Sequence, residues 1–177
     1  MDKFRLSDIK DDEEVLECVN SVLTFFTNMT HYVPDSKSTI LAGDCVKTCM
    51  KYVESNSNKH YDVTVKILGI LINLSENNSF FMYENDLVVW LAELFKKGQG
   101  KDVKTEDKVL SSYSVILFGC MINKENKTIF LEACGIKDFS EFVVLLQEFL
   151  MFKKNSGLLS GNEETSLINM ISTFGKI

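Results

Sequence analysis

The residues best suited to chemistry in this chain of 177 residues are its five cysteines and two histidines. Cys45 and Cys49 are four residues apart, which on a helix places two thiols on one face at a spacing that suits zinc ligands. The histidines, His31 and His60, belong to no second closely spaced Cys or His pair that would complete a tetrahedral site. We therefore predict that Cys45 and Cys49 are reduced core thiols, and we predict no metal site.

The sequence motifs of common enzyme classes are missing as well. The chain has no glycine-rich phosphate loop, no Gly-x-Ser-x-Gly elbow and no His-Glu-x-x-His helix. A cysteine nucleophile would need an exposed thiol beside an imidazole, whereas Cys18, Cys120 and Cys134 stand among apolar residues in the sequence. We predict a protein that is not an enzyme, with no catalytic residue, no cofactor and no small-molecule substrate.

One acidic stretch is the best candidate for a binding site. Thr105 can cap a predicted helix, and Glu106 and Asp107 occupy its first turn, where negative charge complements the helix dipole. Dipole complementation on a solvated face explains these carboxylates by itself. An exposed apolar residue beside carboxylates also suits a small docking patch, and Val109 lies one turn after Thr105. We predict that Thr105, Glu106, Asp107 and Val109 contact a partner protein.

Helical periodicity runs through the whole chain, and the helices that it predicts would position these residues. Apolar side chains recur at intervals of three and four, and a single proline leaves few obligatory breaks. The fold class is therefore all-α. The segment from about 98 to 105 is rich in glycine and lysine without an apolar period, and we predict a mobile loop there. The pattern predicts helices over about 11–30, 38–54, 62–76, 86–97, 105–120, 124–133, 139–154 and 163–174.

A short apolar run that ends in asparagine occurs three times, at Asn28, Asn73 and Asn123, with separations of 45 and 50 residues. Spacing of this order is typical of stacked HEAT and armadillo repeats. Gly69 and Gly119 occupy the same place in the second and third copies, which predicts a close helix crossing at each. We expect a single helical-repeat domain over residues 1–177, a HEAT/armadillo-like α-solenoid in which the asparagines are structural.

Charge and hydropathy disfavour several classes of partner. A formal net charge of -6 disfavours direct nucleic-acid binding, because phosphate contact needs clustered Lys and Arg. The longest uncharged apolar runs are too short to span a bilayer, and the N-terminus lacks an apolar signal segment. An odd number of cysteines without such a signal indicates reduced thiols. We expect an intracellular protein that is not secreted and does not contact membranes.

Several segments resemble the C-terminal part of the wings-apart-like (WAPL) domain. In that family a Ser-Tyr-x-x-Leu-Leu-x-Gly-Cys helix precedes Asp-Phe-Ser and then a Leu-x-x-Phe-Leu-x-Phe helix. Here residues 108–121 read Lys-Val-Leu-Ser-Ser-Tyr-Ser-Val-Ile-Leu-Phe-Gly-Cys-Met, and residues 137–152 contain Asp-Phe-Ser followed by Leu-Gln-Glu-Phe-Leu-Met-Phe. Segments 71–74 and 91–95 resemble those ahead of the family's acidic insertion, which would be reduced here to the loop after residue 97. The family has further repeats and a disordered segment upstream, so this chain would be a C-terminal fragment or a reduced relative.

The resemblance implies a non-enzymatic regulator that binds cohesin and promotes its release from chromatin. The implied partners are the ATPase-head, kleisin and HEAT-repeat regulatory subunits of cohesin, and the implied location is nuclear and chromatin-associated. The predicted contact residues lie just ahead of the Ser-Tyr motif. The alternative that the repeats alone allow is a generic armadillo- or HEAT-like adaptor, which would bind an extended peptide beside the asparagine-bearing helices.

Overall fold

The computed structural model describes residues 13–32, 44–46, 48–50, 61–77, 85–122 and 127–176. Every regular element in these ranges is an α-helix, as the apolar periodicity predicts. Residues 44–46 and 48–50 are helical and fall within the second predicted helix. The other helices are α1 (Glu13–Tyr32), α2 (Tyr61–Asn77), α3 (Asn85–Lys97), α4 (Thr105–Met121), α5 (Lys127–Cys134), α6 (Ser140–Asn155) and α7 (Gly161–Phe174).

The helix boundaries agree with the predicted ones to within a few residues. Helix α5 ends at Gly135, whose φ of +73° suits a glycine that closes a helix. Trp90 of α3 is buried, with 3% of its surface exposed. Pro34 and the repeated Asn123 lie outside the described residues.

The chain divides into two compact units, Met1–Phe81 and Met82–Ile177. Among the described residues of the first unit, α2 has more buried apolar side chains than any other segment, and it packs against α1. This agrees with its sequence, which is apolar on nearly every side of the helix. That residues 1–177 form one continuous array stays a prediction. The buried apolar residues of α2 are Val63, Ile67, Leu68, Ile70, Leu71 and Leu74.

Helices α1 and α2 run in the same direction, joined by two sets of hydrogen bonds. Lys66 Nζ donates to the side-chain and main-chain oxygens of Asn20, at 3.0 and 3.3 Å. Asn73 Nδ2 donates to the Thr27 carbonyl at 3.3 Å and to the Thr30 hydroxyl at 3.2 Å. Three of these four bonds join residues 46 positions apart, close to the 45-residue separation of the first two asparagine runs. The two copies therefore lie side by side in parallel, and Asn73 has the structural role predicted for it.

The second unit is built around a cluster of phenylalanines to which every one of its described helices contributes. The ring centroid of Phe142 lies 4.9 Å from that of Phe95 and 5.7 Å from that of Phe118. It also lies 5.4 Å from the ring of Phe174, and Phe118 lies 4.6 Å from Phe130. Aromatic pairs at such distances add stability beyond the area they bury. Phe142 thus holds α6 against α3, α4 and α7 at once.

The turn after α3 lies directly against α4. The Ser111 hydroxyl donates to the Phe95 carbonyl at 3.0 Å, which satisfies one of the last carbonyls of α3. Gly98 is buried, and a Cβ at this position would lie 2.6 Å from Ser111 Oγ and 2.9 Å from the Asp107 carbonyl oxygen. This close approach therefore requires glycine, although the sequence pattern did not single out Gly98.

The two glycines predicted at close helix crossings differ. A Cβ on Gly119 would lie 2.6 Å from the thioether sulfur of Met170 on α7, so the predicted crossing is confirmed there. No described atom lies within 4 Å of a Cβ built on Gly69, so the prediction is wrong for Gly69 among the described residues. Hydrogen bonds of polar side chains, and not a contact at Gly69, fix the register of the parallel helices α1 and α2.

Two ion pairs attach the start of α7 to the end of α6, and a capping box closes the first turn of α7. Lys153 Nζ donates to Glu163 at 2.7 Å, and Lys154 Nζ donates to Glu164 at 3.1 Å. Glu163 also accepts from the Ser160 main-chain N–H at 3.0 Å, while the Ser160 hydroxyl accepts from the Glu163 N–H. Partial burial acts to raise the pKa of Glu163, but hydrogen bonds from Lys153 and Ser160 outweigh it, and the pKa lies below its ordinary value.

Alanine substitutions at two glycines should have opposite effects. Gly98→Ala should destabilise the protein by about 1 to 3 kcal/mol, because the added methyl group overlaps Ser111 and the Asp107 carbonyl. Gly69→Ala should stabilise it by about 0.5 to 1 kcal/mol, since the methyl group has space and alanine favours a helix. Urea unfolding followed by circular dichroism measures both. Equal stability of the Gly98→Ala protein and the parent would contradict the close approach.

The attachment of α7 should weaken in acid. Because folding lowers the pKa of Glu163, this group stabilises the fold above its ordinary value of 4.5, and the contribution disappears as the pH falls through the folded pKa. The melting temperature of Glu163→Gln should therefore depend less on pH below about 5 than that of the parent. Glu93→Gln, which changes an exposed carboxylate on α3, serves as the control and should retain the parent's acid dependence.

Candidate functional site

Helices α4 and α6 run antiparallel and leave an open groove between them. Phe118 of α4 stacks on Phe142 of α6 at one end, and Tyr113 meets Phe149 toward the other, with ring centroids 5.5 Å apart. The groove has a volume of about 300 Å³. We call it the α4–α6 groove; it is lined by Thr105, Lys108, Val109 and Ser112 of α4 and by Leu145, Glu148, Phe149 and Phe152 of α6.

The floor of the α4–α6 groove is buried and its edge is open. Leu145 and Phe149 are buried, and Ser112 is buried with its hydroxyl bonded to the Lys108 carbonyl at 2.8 Å within the same helix. Phe152, by contrast, is 43% exposed, and Val109 is half-buried on the opposite wall. The groove therefore offers a preformed apolar surface that water reaches from one side.

The structure brings two of the four predicted contact residues into this groove. Thr105 and Val109 line it, because residues four apart on a helix share a face. Glu106 is exposed and Asp107 half-buried, and neither lines the groove. Thr105 is the first residue of α4, and the preceding Lys104 is the N-cap without a side-chain capping bond. The prediction that Thr105 caps this helix is therefore wrong.

The α6 wall was not predicted as part of a binding site. Sequence periodicity identified Phe149 as apolar but could not separate a groove floor from a core position. A signal was present, because α6 carries apolar residues beyond its buried stripe. Val144, Met151 and Phe152 are between 43% and 58% exposed, so this helix has more apolar surface than the core uses.

A single ion pair crosses the α4–α6 groove. Lys108 Nζ lies 3.7 Å from Glu148 Oε2, with side-chain exposures of 44% and 60%. Ion pairs this exposed contribute little to stability, so Lys108 can leave Glu148 at small cost. On the other side of the pair lies a second cavity of about 260 Å³, which shares Lys108, Leu145 and Glu148 with the groove. Its remaining lining residues are Gly98, Gln99, Gly100, Ser140, Glu141 and Val144.

The cysteines do not form a metal centre with other described residues. A hydrogen bond with Cys49 lowers the pKa of Cys45 to about 7, and the same bond together with burial raises the pKa of Cys49. Burial raises the pKa of Cys134 to about 12. Cys18 is exposed, which corrects the apolar surroundings predicted for it. Within the described ranges, no three His, Cys, Asp or Glu side chains come together as a metal ion would require.

Comparison of the chain with protein-family models, curated proteins and solved structures finds no match. Among the described helices none is both long and apolar enough to cross a membrane. The α4–α6 groove therefore has to be interpreted from its own residues, namely an apolar floor, an exposed aromatic edge and one weak ion pair.

Alanine substitutions of the two phenylalanines of this groove should lower the free energy of unfolding by different amounts. Phe149→Ala should destabilise the protein by about 3 to 5 kcal/mol, because it leaves a cavity beside Tyr113 and Leu145. Phe152→Ala should cost less than about 1 kcal/mol, since much of its ring already faces water. Urea unfolding midpoints measure the difference. A cost above about 2 kcal/mol for Phe152→Ala would show that this ring belongs to the core.

Proposed function

We propose that this chain is a non-enzymatic protein-interaction module of the HEAT/armadillo-like kind and that the α4–α6 groove binds a segment of another protein. The observation that carries the proposal is the exposed ring of Phe152 at the open edge of a preformed apolar groove. Aromatic side chains beside such pockets dominate the binding energy of protein interfaces. Val109 supplies the facing wall.

The repeat character of the chain supports this class of function. The parallel stacking of α1 and α2 at an offset of 46 residues is the geometry that successive repeats adopt. Helix α7 contains a shorter apolar segment that also ends in asparagine, Leu167-Ile168-Asn169, 46 residues after Asn123. Stacked helical arrays expose extended surfaces, and their common use is to hold other proteins.

Cohesin is the partner that the WAPL resemblance proposes, through its ATPase-head, kleisin or HEAT-repeat regulatory subunits on nuclear chromatin. On α4, two residues at positions of the Ser-Tyr motif, Ser112 and Leu117, are buried. Leu117 packs in the core, whereas Ser112 also lines the α4–α6 groove. Release of cohesin would follow from differential affinity for its conformations, which needs a binding groove and no catalytic residue.

The alternative adaptor would bind an extended peptide beside the asparagine-bearing helices. Asn73 is poorly suited to that role, because its amide donates to Thr27 and Thr30 of α1. Asn28 is exposed and Asn123 lies outside the described residues. A peptide-binding function therefore fits the α4–α6 groove better than the neighbourhood of Asn73.

A pull-down with purified cohesin subunits tests the proposal. The immobilised chain should retain a cohesin subunit, and Val109→Glu combined with Phe152→Glu should lower retention by about tenfold or more, because both carboxylates enter the apolar groove. Met151→Glu is the matched control, since Met151 is adjacent in sequence and exposed but does not line the groove.

The two parts of the proposal fail in different ways. If the protein with both Val109→Glu and Phe152→Glu retains the subunit as well as the parent does, the groove is not the binding site. If the parent retains no cohesin subunit, cohesin is not the partner. Circular dichroism of each variant confirms that the helices are intact.

A further inference from the structure

We propose that the segment bound by the α4–α6 groove is basic as well as apolar. One large apolar side chain would enter the groove beside Phe152, and a neighbouring Lys or Arg would pair with Glu148 and Glu141 in the second cavity. This inference rests on the proposed function, since it specifies the chemistry of the occupant of the same groove.

The α4–α6 groove and the second cavity adjoin each other. They share Lys108, Leu145 and Glu148, so a chain lying along α6 meets the apolar groove and then the second cavity. The wall of the second cavity carries two carboxylates, Glu141 and Glu148, against one cation, Lys108. The occupant's charge on this side should therefore be positive.

An exposed ion pair lies between the two cavities. Lys108 reaches from α4 to Glu148 at 3.7 Å, although both side chains are largely exposed. An incoming Lys or Arg can replace Lys108 at Glu148 with little loss, because an exposed pair at this distance contributes under about 1 kcal/mol. Lys108 thus occupies the position that we assign to the cation of the partner.

The size of the groove and the positions of its carboxylates limit the length of the bound segment. A volume of about 300 Å³ suits one large side chain rather than a whole helix. Along α6, Glu148 lies one turn before Phe152, about 6 Å away, and Glu141 lies about 16 Å away. An extended segment advances about 3.3 Å per residue, so the basic residue should follow or precede the apolar anchor by about two to five residues.

The net charge of the chain agrees with this choice of occupant. At -6 it favours approach of a basic segment over an acidic one. The same carboxylates disfavour a phosphate-bearing ligand, because they would repel it at the mouth of the second cavity. A second copy of this chain is the remaining occupant to test.

Selection from a phage-displayed library of random peptides against the full chain tests the inference. Peptides enriched on the parent should combine a large apolar residue with Lys or Arg about two to five residues away. Synthetic versions should bind about tenfold more weakly to Phe152→Glu and equally well to Met151→Glu. Glu141→Lys with Glu148→Lys should weaken them by about tenfold, whereas Lys108→Ala should strengthen them about two- to fivefold.

The outcomes separate this inference from the proposed function. If no enriched peptide depends on Phe152, the groove does not bind peptides and the proposed function fails. Binding that depends on Phe152 but involves peptides with acidic or neutral residues would contradict a basic occupant. Binding that is unchanged by Glu141→Lys with Glu148→Lys would contradict it as well. In both cases the groove would still be a peptide-binding site. A dimer that sedimentation detects in the parent and not in Phe152→Glu would show that a second copy fills the groove and would overturn the inference.

Discussion

The packing of Phe142 is the constraint on which the second unit depends. Its ring lies within 5.7 Å of rings from α3, α4 and α7 and contacts Phe139 at the start of its own helix. Because one side chain meets three other helices, α6 cannot rotate or slide without losing several aromatic contacts together. The direction and depth of α6 against α4 follow from this position.

The α4–α6 groove is a consequence of that arrangement. Near Phe142 the two helices are held by stacked rings, whereas toward the end of α6 the small side chain of Ser112 faces Phe149 and Phe152. The floor residues Leu145 and Phe149 are buried, whereas Phe152 at the edge is exposed to water. A groove that exists without its partner lowers the entropic cost of binding, because its walls need little rearrangement.

Much of the helical architecture could be predicted from local sequence. The period of the apolar residues identified every described helix, and the repeated asparagine run identified the pair of helices that lies in parallel in the first unit. The first signal is local, since it depends on which face of a single helix is apolar, whereas the second compares segments 45 residues apart. Exposure was predicted less well: Cys18 stands among apolar residues in the sequence but is exposed, because neighbouring helices decide which sides of a helix are covered.

The sequence by itself determined the all-α class, the helix boundaries to within a few residues and the repeat spacing, and it singled out two of the eight residues that line the groove, Thr105 and Val109. Only the tertiary structure decided that Phe149 is floor and Phe152 is edge, although both continue one apolar pattern. It also decided that Gly98 is the glycine at the α3–α4 approach. The physical reason is the same in each case: a helical period reports the sides of one helix, whereas exposure and close approach depend on the distance to the next one.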